Sequence, residues 1–251
     1  MYTQTYRVKG MHCASCSSVI EKTFKKIEGV HSAEVNYGTE KAKISFDSSK
    51  TSPHDLSKHI EPLGYSLEEH VAHTGLSQSK AEKLAEVRDM QVKVFSAIPL
   101  AIFAAIVMGW DILAEYGIMA EMGPVAGEFF HHLLPLFATY VLFVVGKPYL
   151  LGFYRFLRYG KANMDTLIGI GTVAAFLYSF AITAFEDTLR PFINVEYQYY
   201  DVTIVVITFI ALGKYLEARS KIKTGDAIEK LLNLQAKTAL IIRDGREVEI
   251  P

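Results

Sequence analysis

The stretch Gly10–Cys16, GMHCASC, holds both cysteines of the chain, Cys13 and Cys16, with two residues between them. That spacing lets two sulfurs converge on one point from a turn that opens a helix. Thiolates are soft ligands that favour copper(I) and zinc over hard ions, and backbone N–H groups at a helix start help to ionise them. A closed zinc site usually takes four protein ligands, so two sulfurs alone leave one side open, whereas copper(I) is satisfied by two thiolates in a near-linear arrangement. Spacing alone leaves four readings: a transferable soft-metal site, a redox pair, half of a mixed site completed by some of the eight histidines, or a pair without chemistry.

Working outward, Thr3–Lys9 alternates polar and apolar residues and reads as a strand. Ser15–Ile27 reads as a helix with Val19, Ile20, Phe24 and Ile27 on one face and Glu21, Lys22, Lys25 and Lys26 on the other, ended by Gly29. Val30–Tyr37 and Lys41–Phe46 alternate again around a turn at Gly38–Glu40, Pro53 opens a second helix to about Pro62 with Leu56 and Ile60 inward, and Tyr65–Val71 is a last short strand. The order βαββαβ is the α+β ferredoxin-like arrangement. With GMHCASC after its first strand and LGYS (Leu63–Ser66) near its end, this unit resembles a heavy-metal-associated domain, a family that carries copper in soluble chaperones and in copper pumps. The resemblance implies Cys13 and Cys16 as ligands and Met11 as a residue that shapes the loop without binding. It also puts Tyr65 where the family often has a residue close to the metal loop, a position that an ordinary core tyrosine fills equally well. His12 reads as exposed and not a ligand.

Half of the 251 residues are hydrophobic and 21% charged, and the apolar ones are concentrated from Val92 to about Arg219. A formal net charge of −1 gives no reason to expect a nucleic-acid partner. A CxxC pair without a cleavable signal points to a reducing cytosolic face. The chain therefore divides into a metal-binding domain over 1–71, a linker over 72–91, an all-α membrane domain over 92–223 and a further unit starting at 224–251. A bilayer span needs about 20 apolar residues, and four candidates occur at about 92–112, 129–150, 164–186 and 197–218. The first holds seventeen uncharged residues ending at Trp110, and the second meets Gly146, Lys147 and Pro148, a kink signal. Tyr149–Tyr159, with Arg155 and Arg158 beside Phe153, Phe156 and Leu157, suits an amphipathic helix at the membrane surface. The third span has small residues Gly169, Gly171, Ala174 and Ala175 suited to close packing. The fourth is weaker, with twelve uncharged residues, Val202–Gly213, between Asp201 and Lys214 and a tyrosine belt at Tyr197, Tyr199 and Tyr200.

Basic residues sort by side. The loop after the first span has Asp111, Glu115, Glu121 and Glu128 and no Lys or Arg, whereas Lys147, Arg155, Arg158 and Lys161 follow the second span and Lys214, Arg219, Lys221 and Lys223 the fourth. By the positive-inside rule both termini are cytoplasmic, in an integral protein of a lipid bilayer that we read as a bacterial plasma membrane. At the cytosolic mouth, ANMDTL (Ala162–Leu167) offers the thioether of Met164, and GKYLEARSK (Gly213–Lys221) the carboxylate of Glu217. A charge well inside a span costs roughly 2.5–3.5 kcal/mol on insertion scales, so it wants a reason. Receiving a soft cation is one; helical pairing of Glu217 with Lys214 or Lys221, and plain packing of Met164, is the other. Met119, Met122, His131 and His132 lie on the outer side and read chiefly as loop and helix-end residues.

NMDTLIGIGT, followed by LGKYLEARSKIKTGDAIEKLLNL, is similar to the third and fourth membrane helices of copper-transporting P-type ATPases. That resemblance covers essentially the whole chain and implies Met164 and Glu217 as a membrane metal entrance and residues 224–251 as the start of a truncated actuator domain. It implies the kinked span and basic helix as a docking platform carrying Lys147, Arg155, Arg158 and Lys161, for this domain or for a copper chaperone with a similar one. Many relatives carry a double glycine at the kink; here Gly146 is followed by Lys147 and Pro148. The family's DKTGT, TGE and CPC strings do not occur in the 251 residues, so ATP and magnesium are expected only in a complete pump with the missing C-terminal domains, and no catalytic residue is expected here. A membrane-anchored copper-delivery protein without ATPase activity, and a carrier of zinc, cadmium or mercury, are the alternatives.

Overall fold

Alternating side chains put Tyr6 and Val8 of β1 (Tyr2–Lys9), Ala33 and Val35 of β2 (Val30–Asn36) and Ala42, Ile44 and Phe46 of β3 (Lys41–Phe46) in one core. Against them pack α1 (Ala14–Phe24), through Ile20 and Phe24, and α2 (Pro53–Ile60), through Leu56 and Ile60. A reciprocal capping box between Ser52 and Asp55, with Pro53 at the first helical position, starts α2 where the sequence predicts. β4 (Ser66–Glu69) completes an antiparallel sheet in the order β2-β3-β1-β4, the ferredoxin-like fold. The computed structural model describes residues 2–11, 13–69, 76–120, 122–192, 198–233, 239–243 and 246–250.

The helical region begins earlier than its apolar run. α3 (Leu76–Glu115) is one helix of 40 residues, so most of the stretch read as a linker is a helical stem. α4 (Pro124–Tyr140) passes through a π-helical turn, Val141–Val145, into α5 (Lys147–Tyr159), and the chain bends there by 71°. The Gly146–Pro148 signal therefore marks a real kink, of the π-bulge type. α6 (Met164–Ala184) and the short α7 (Glu186–Leu189) follow, then α8 (Tyr200–Asn233). α8 runs without a break through residues 226–233, inside the stretch that the sequence sets apart as a further unit. β5 (Ala239–Arg243) and β6 (Arg246–Ile250) form an antiparallel pair.

Two helices, Ala81–Glu115 and Met164–Ala184, are long and apolar enough to cross a membrane, and the bent pair His132–Val145 with Lys147–Tyr159 makes a third if counted as one span. Over its described residues α8 does not meet that measure, because Asp201, Lys214 and Glu217 interrupt its apolar run. It is nevertheless packed as an inner helix. Val94, Ala97, Ala101, Ala104 and Val107 make a small-residue stripe on α3 that shares one core with Ile204, Ile207, Ala211 and Tyr215 of α8. Short side chains let backbones approach in this way. The small residues singled out on α6 divide differently: Gly169 is buried beneath α5, while Gly171 and Ala174 face outward.

α5 and the start of α6 form the corner that carries the candidate site. Gly152 of α5 is buried there, and a Cβ on it would lie 2.9 Å from the Cβ of Asp165 and 3.2 Å from the backbone nitrogen of Thr166. The Thr166 hydroxyl donates to the Gly152 carbonyl at 3.3 Å. Asn163 caps α6, accepting from the Thr166 backbone N–H at 3.0 Å while its own N–H donates to Thr166 Oγ1 at 3.2 Å. Gly152→Leu should therefore destabilise the helical bundle by about 1–3 kcal/mol through overpacking, read as a lower midpoint in detergent unfolding. Gly171→Leu, with no atom within 4 Å of its added Cβ, should leave that midpoint in place.

Candidate metal site and its seat on the membrane helices

β1 ends at Gly10, whose φ of +88° favours glycine, and a side chain there would strike the carbonyl of Gly64. The metal loop thus leans on the Leu63–Tyr65 turn, which explains why GMHCASC and LGYS occur together. Met11 is buried in the domain core. Cys13 stands in extended conformation just before α1, and Cys16 lies inside its first turn with its N–H on the Cys13 carbonyl at 3.1 Å. Both thiols are free, Cys13 half-buried and Cys16 fully buried, with sulfurs 3.4 Å apart. The Ser15 hydroxyl is 2.8 Å from Cys13 Sγ. Burial opposes ionisation of Cys13, but hydrogen bonds from Ser15 and Cys16 outweigh it and hold the thiol below its ordinary value.

Tyr65 is 4% exposed and hydrogen-bonds both Cys16 and the side chain of Asn163. Burial first, and then the hydrogen bond to Cys16, push its phenol well above the ordinary tyrosine range, so it stays protonated and able to donate. One hydroxyl therefore joins the sulfur loop to the residue that caps α6. Beside it, the Arg155 guanidinium covers Gly64, and Val19, Leu63 and Tyr65 share a narrow cleft with Gly152, Lys161 and Asn163.

The domain is held at two further places. At the end of β2 the Tyr37 hydroxyl donates to Glu217 of α8, and the Lys221 ammonium lies 3.7 Å from the Tyr37 ring centroid and 3.0 Å from the same carboxylate. Burial and the Glu217 carboxylate raise the Tyr37 phenol above its ordinary value. On the α3 stem, Lys83 pairs with Glu40 at 2.6 Å and Glu82 with Lys9 at 2.8 Å.

Met164 is the first residue of α6 and 37% exposed, and the Glu217 side chain is 47% exposed. The turns that carry them are tied together by their neighbours, Asp165 and Lys214, in a buried ion pair. Of the basic residues expected to form a platform, Arg155 and Lys161 line the cleft under the domain, while Lys147 and Arg158 stand exposed at opposite ends of α5. Met119 is exposed and Met122 rests on the helix core; among the described residues no three His, Cys, Asp or Glu side chains converge on one point. His12 and the side chain of His131 lie outside the described residues. Sequence reading passed over Tyr37, Asn163 and Asp165. An Asn three residues before Thr166 is a capping signature that marks the second of these, whereas nothing local marks Tyr37.

In the metal-free chain iodoacetamide should modify Cys13 before Cys16, with a pH midpoint below that of an ordinary thiol. Ser15→Ala removes a hydrogen bond that favours the thiolate, so that midpoint should rise, as followed by mass spectrometry. Tyr37→Phe removes the donor to Glu217 and should speed amide hydrogen exchange in the Gly38–Glu40 turn by roughly 2- to 10-fold, the scale of one ordinary hydrogen bond.

Residues 5–66 match the family described as heavy-metal-associated domain. Over 97% of its length the chain is 37% identical to a copper-exporting P-type ATPase of Staphylococcus saprophyticus, and over 98% it is 33% identical to one of Bacillus subtilis. It spans 29% and 30% of those two proteins. It is also similar to the solved N-terminal domain of a potential copper-translocating P-type ATPase from Bacillus subtilis in the Cu(I)-loaded state: 36% identity, 27% of this chain and 84% of that chain covered, TM-score 0.26. Residues 5–66 thus form a heavy-metal-associated domain, and over nearly its whole length the chain is similar to copper-exporting P-type ATPases, of which it spans about 30%.

Proposed function

We propose that this chain takes up copper(I) at Cys13 and Cys16 and passes it to a membrane entrance formed by Met164 and Glu217, as the delivery part of an ATP-driven exporter. The observation that carries the reading is the Tyr65 hydroxyl, shared between Cys16 and Asn163, the residue immediately before Met164. Copper(I) is the cargo. Two thiolates hold it in the open loop, and a thioether with a carboxylate receives it, a ligand set soft enough to accept the ion yet weaker than the sulfur pair. With metal–sulfur bonds of about 2.3 Å as a guide, a near-linear site needs the sulfurs to separate by roughly 1 Å, a motion that half-buried Cys13 makes and buried Cys16 need not.

The seat of the domain fits delivery in both directions. Tyr65 sets the sulfur loop beside α6, while Tyr37 occupies Glu217, so the incoming ion replaces a phenol hydrogen bond on the carboxylate. When the domain leaves, Arg155, Arg158 and Lys161 are open to a copper chaperone with a similar domain. Val202–Gly213 of α8 serves as the fourth span, in a bacterial plasma membrane with both termini in the cytoplasm. Phosphorylation and ATP binding with magnesium belong to parts of the pump outside this chain.

Copper(I) stoichiometry of the purified chain, measured against a strong chromophoric copper(I) chelator, tests the two stations. Cys13→Ser/Cys16→Ser should lose one tight site, and Met164→Leu/Glu217→Gln should lose a second, weaker one while keeping the first. If the second variant binds and accepts copper like the parent, Met164 and Glu217 are not an entrance. If zinc(II) displaces copper(I) at equal concentration, the chain serves another ion.

A further inference from the structure

Lys214 and Glu217 are three residues apart on α8, a spacing at which opposite charges on a helix ordinarily pair. In this structure they do not. The Lys214 ammonium is drawn inward to Asp165 of α6 and lies 5.0 Å from the ring centroid of Tyr149, with the lysine and aspartate side chains 13% and 8% exposed. Glu217 points the other way, toward Tyr37 and Lys221, and is 47% exposed. The pocket that takes the ammonium is built by three residues on two helices: Tyr149 of α5 forms one wall, Gly152 of α5 makes room for Asp165, and Asp165 of α6 supplies the countercharge.

We infer that Asp165 is a positioning residue for the metal entrance: by holding Lys214 on the inner side of α8, it keeps that ammonium off Glu217, so that an incoming cation has to displace the contacts of Tyr37 and Lys221 but not a buried lysine. The inference rests on the reading of Glu217 as an entrance ligand and adds to it how the ligand is kept available. Lys214 freed from Asp165 is one helical turn from Glu217. It then competes with copper(I) for the carboxylate and places a positive charge beside the ion's path. Lys221, the other cation on Glu217, is exposed and on the solvent side, where screening weakens it.

The test uses the full chain in detergent in a Cys13→Ser/Cys16→Ser background, so that only the membrane site reports, with copper(I) titrated against a chromophoric chelator. Asp165→Asn should weaken that site about tenfold or more. Lys214→Met should keep its affinity within about threefold, and Asp165→Asn/Lys214→Met should restore it. A clamp that only holds α6 to α8 would suffer equally from losing either partner, so comparable weakening in Lys214→Met and Asp165→Asn overturns the inference. Parent-like affinity in Asp165→Asn overturns it as well. If Asp165→Asn does not fold, the Lys214→Met arm decides alone, retained affinity supporting the inference and tenfold loss overturning it. Glu217→Gln separates the two claims: if it binds like the background chain, the entrance reading itself has failed and this inference with it.

Discussion

Taking a carboxylate and an ammonium out of water is tolerated only when each satisfies the other, and removing one partner of a buried pair costs about 3–5 kcal/mol. Asp165 and Lys214 impose that condition at the boundary between the apolar helices and their polar extensions. Satisfying it fixes three elements at once. α8 must present Lys214 to α6, α6 must begin where Asp165 can reach it, and α5 must lay Tyr149 beside the ammonium and Gly152 beside the aspartate. α5 has left the direction of α4 through a 71° bend, so the direction of the span does not set its course. The capped start of α6 and this pair do. Met164 adjoins Asp165 and Glu217 lies three residues from Lys214, so the candidate entrance shares the helical turns of that corner.

The domain's attachment is of another kind. Its own core buries Tyr6, Ile20, Phe24, Ile44, Leu56 and Ile60 almost completely. Against the helices it has one cleft, two tyrosine hydrogen bonds and ion pairs such as Lys9–Glu82 and Lys83–Glu40, whose side chains are 27–61% exposed. Exposed ion pairs contribute about 0–1 kcal/mol each and weaken with salt. A domain with its own core on a polar seat of this kind can detach without unfolding, as the proposed delivery role requires.

How much of this is legible in the sequence depends on the range of the interaction. The βαββαβ unit can be read because alternation, the Ser52–Asp55 cap and Pro53 act over a few residues, and the bend because Gly146 and Pro148 mark it locally. The stem of α3 is less legible, since polar residues 76–90 resemble a linker until the helix that continues them is known. Small residues on α6 mark it as suited to close packing, but their spacing does not say which of them meets a neighbour: α5 takes Gly169, Gly171 faces open space, and alanines of α3 pack in the core shared with α8. Helical spacing also offered Glu217 two partners. The pairing with Lys221 exists, while Lys214 is claimed by Asp165 from 49 residues away, a competition no local rule reveals. Tyr37 is invisible for the same reason, an aromatic at a strand end whose partner lies 180 residues on.

The two tyrosines give the seat a direction. Tyr65 reaches from the sulfur loop to the cap of α6, and Tyr37, from the far side of the same sheet, reaches to the carboxylate on α8. The domain cannot bring its sulfurs to the mouth of the helices without also placing a hydroxyl on Glu217. On the proposed route the Tyr37 hydroxyl of the seated domain caps Glu217, and an ion taken up by that carboxylate would displace it. Displacing that contact costs the worth of a hydrogen bond to a charged group, roughly 1.5–3 kcal/mol, which the proposed transfer to a weaker ligand set must also meet.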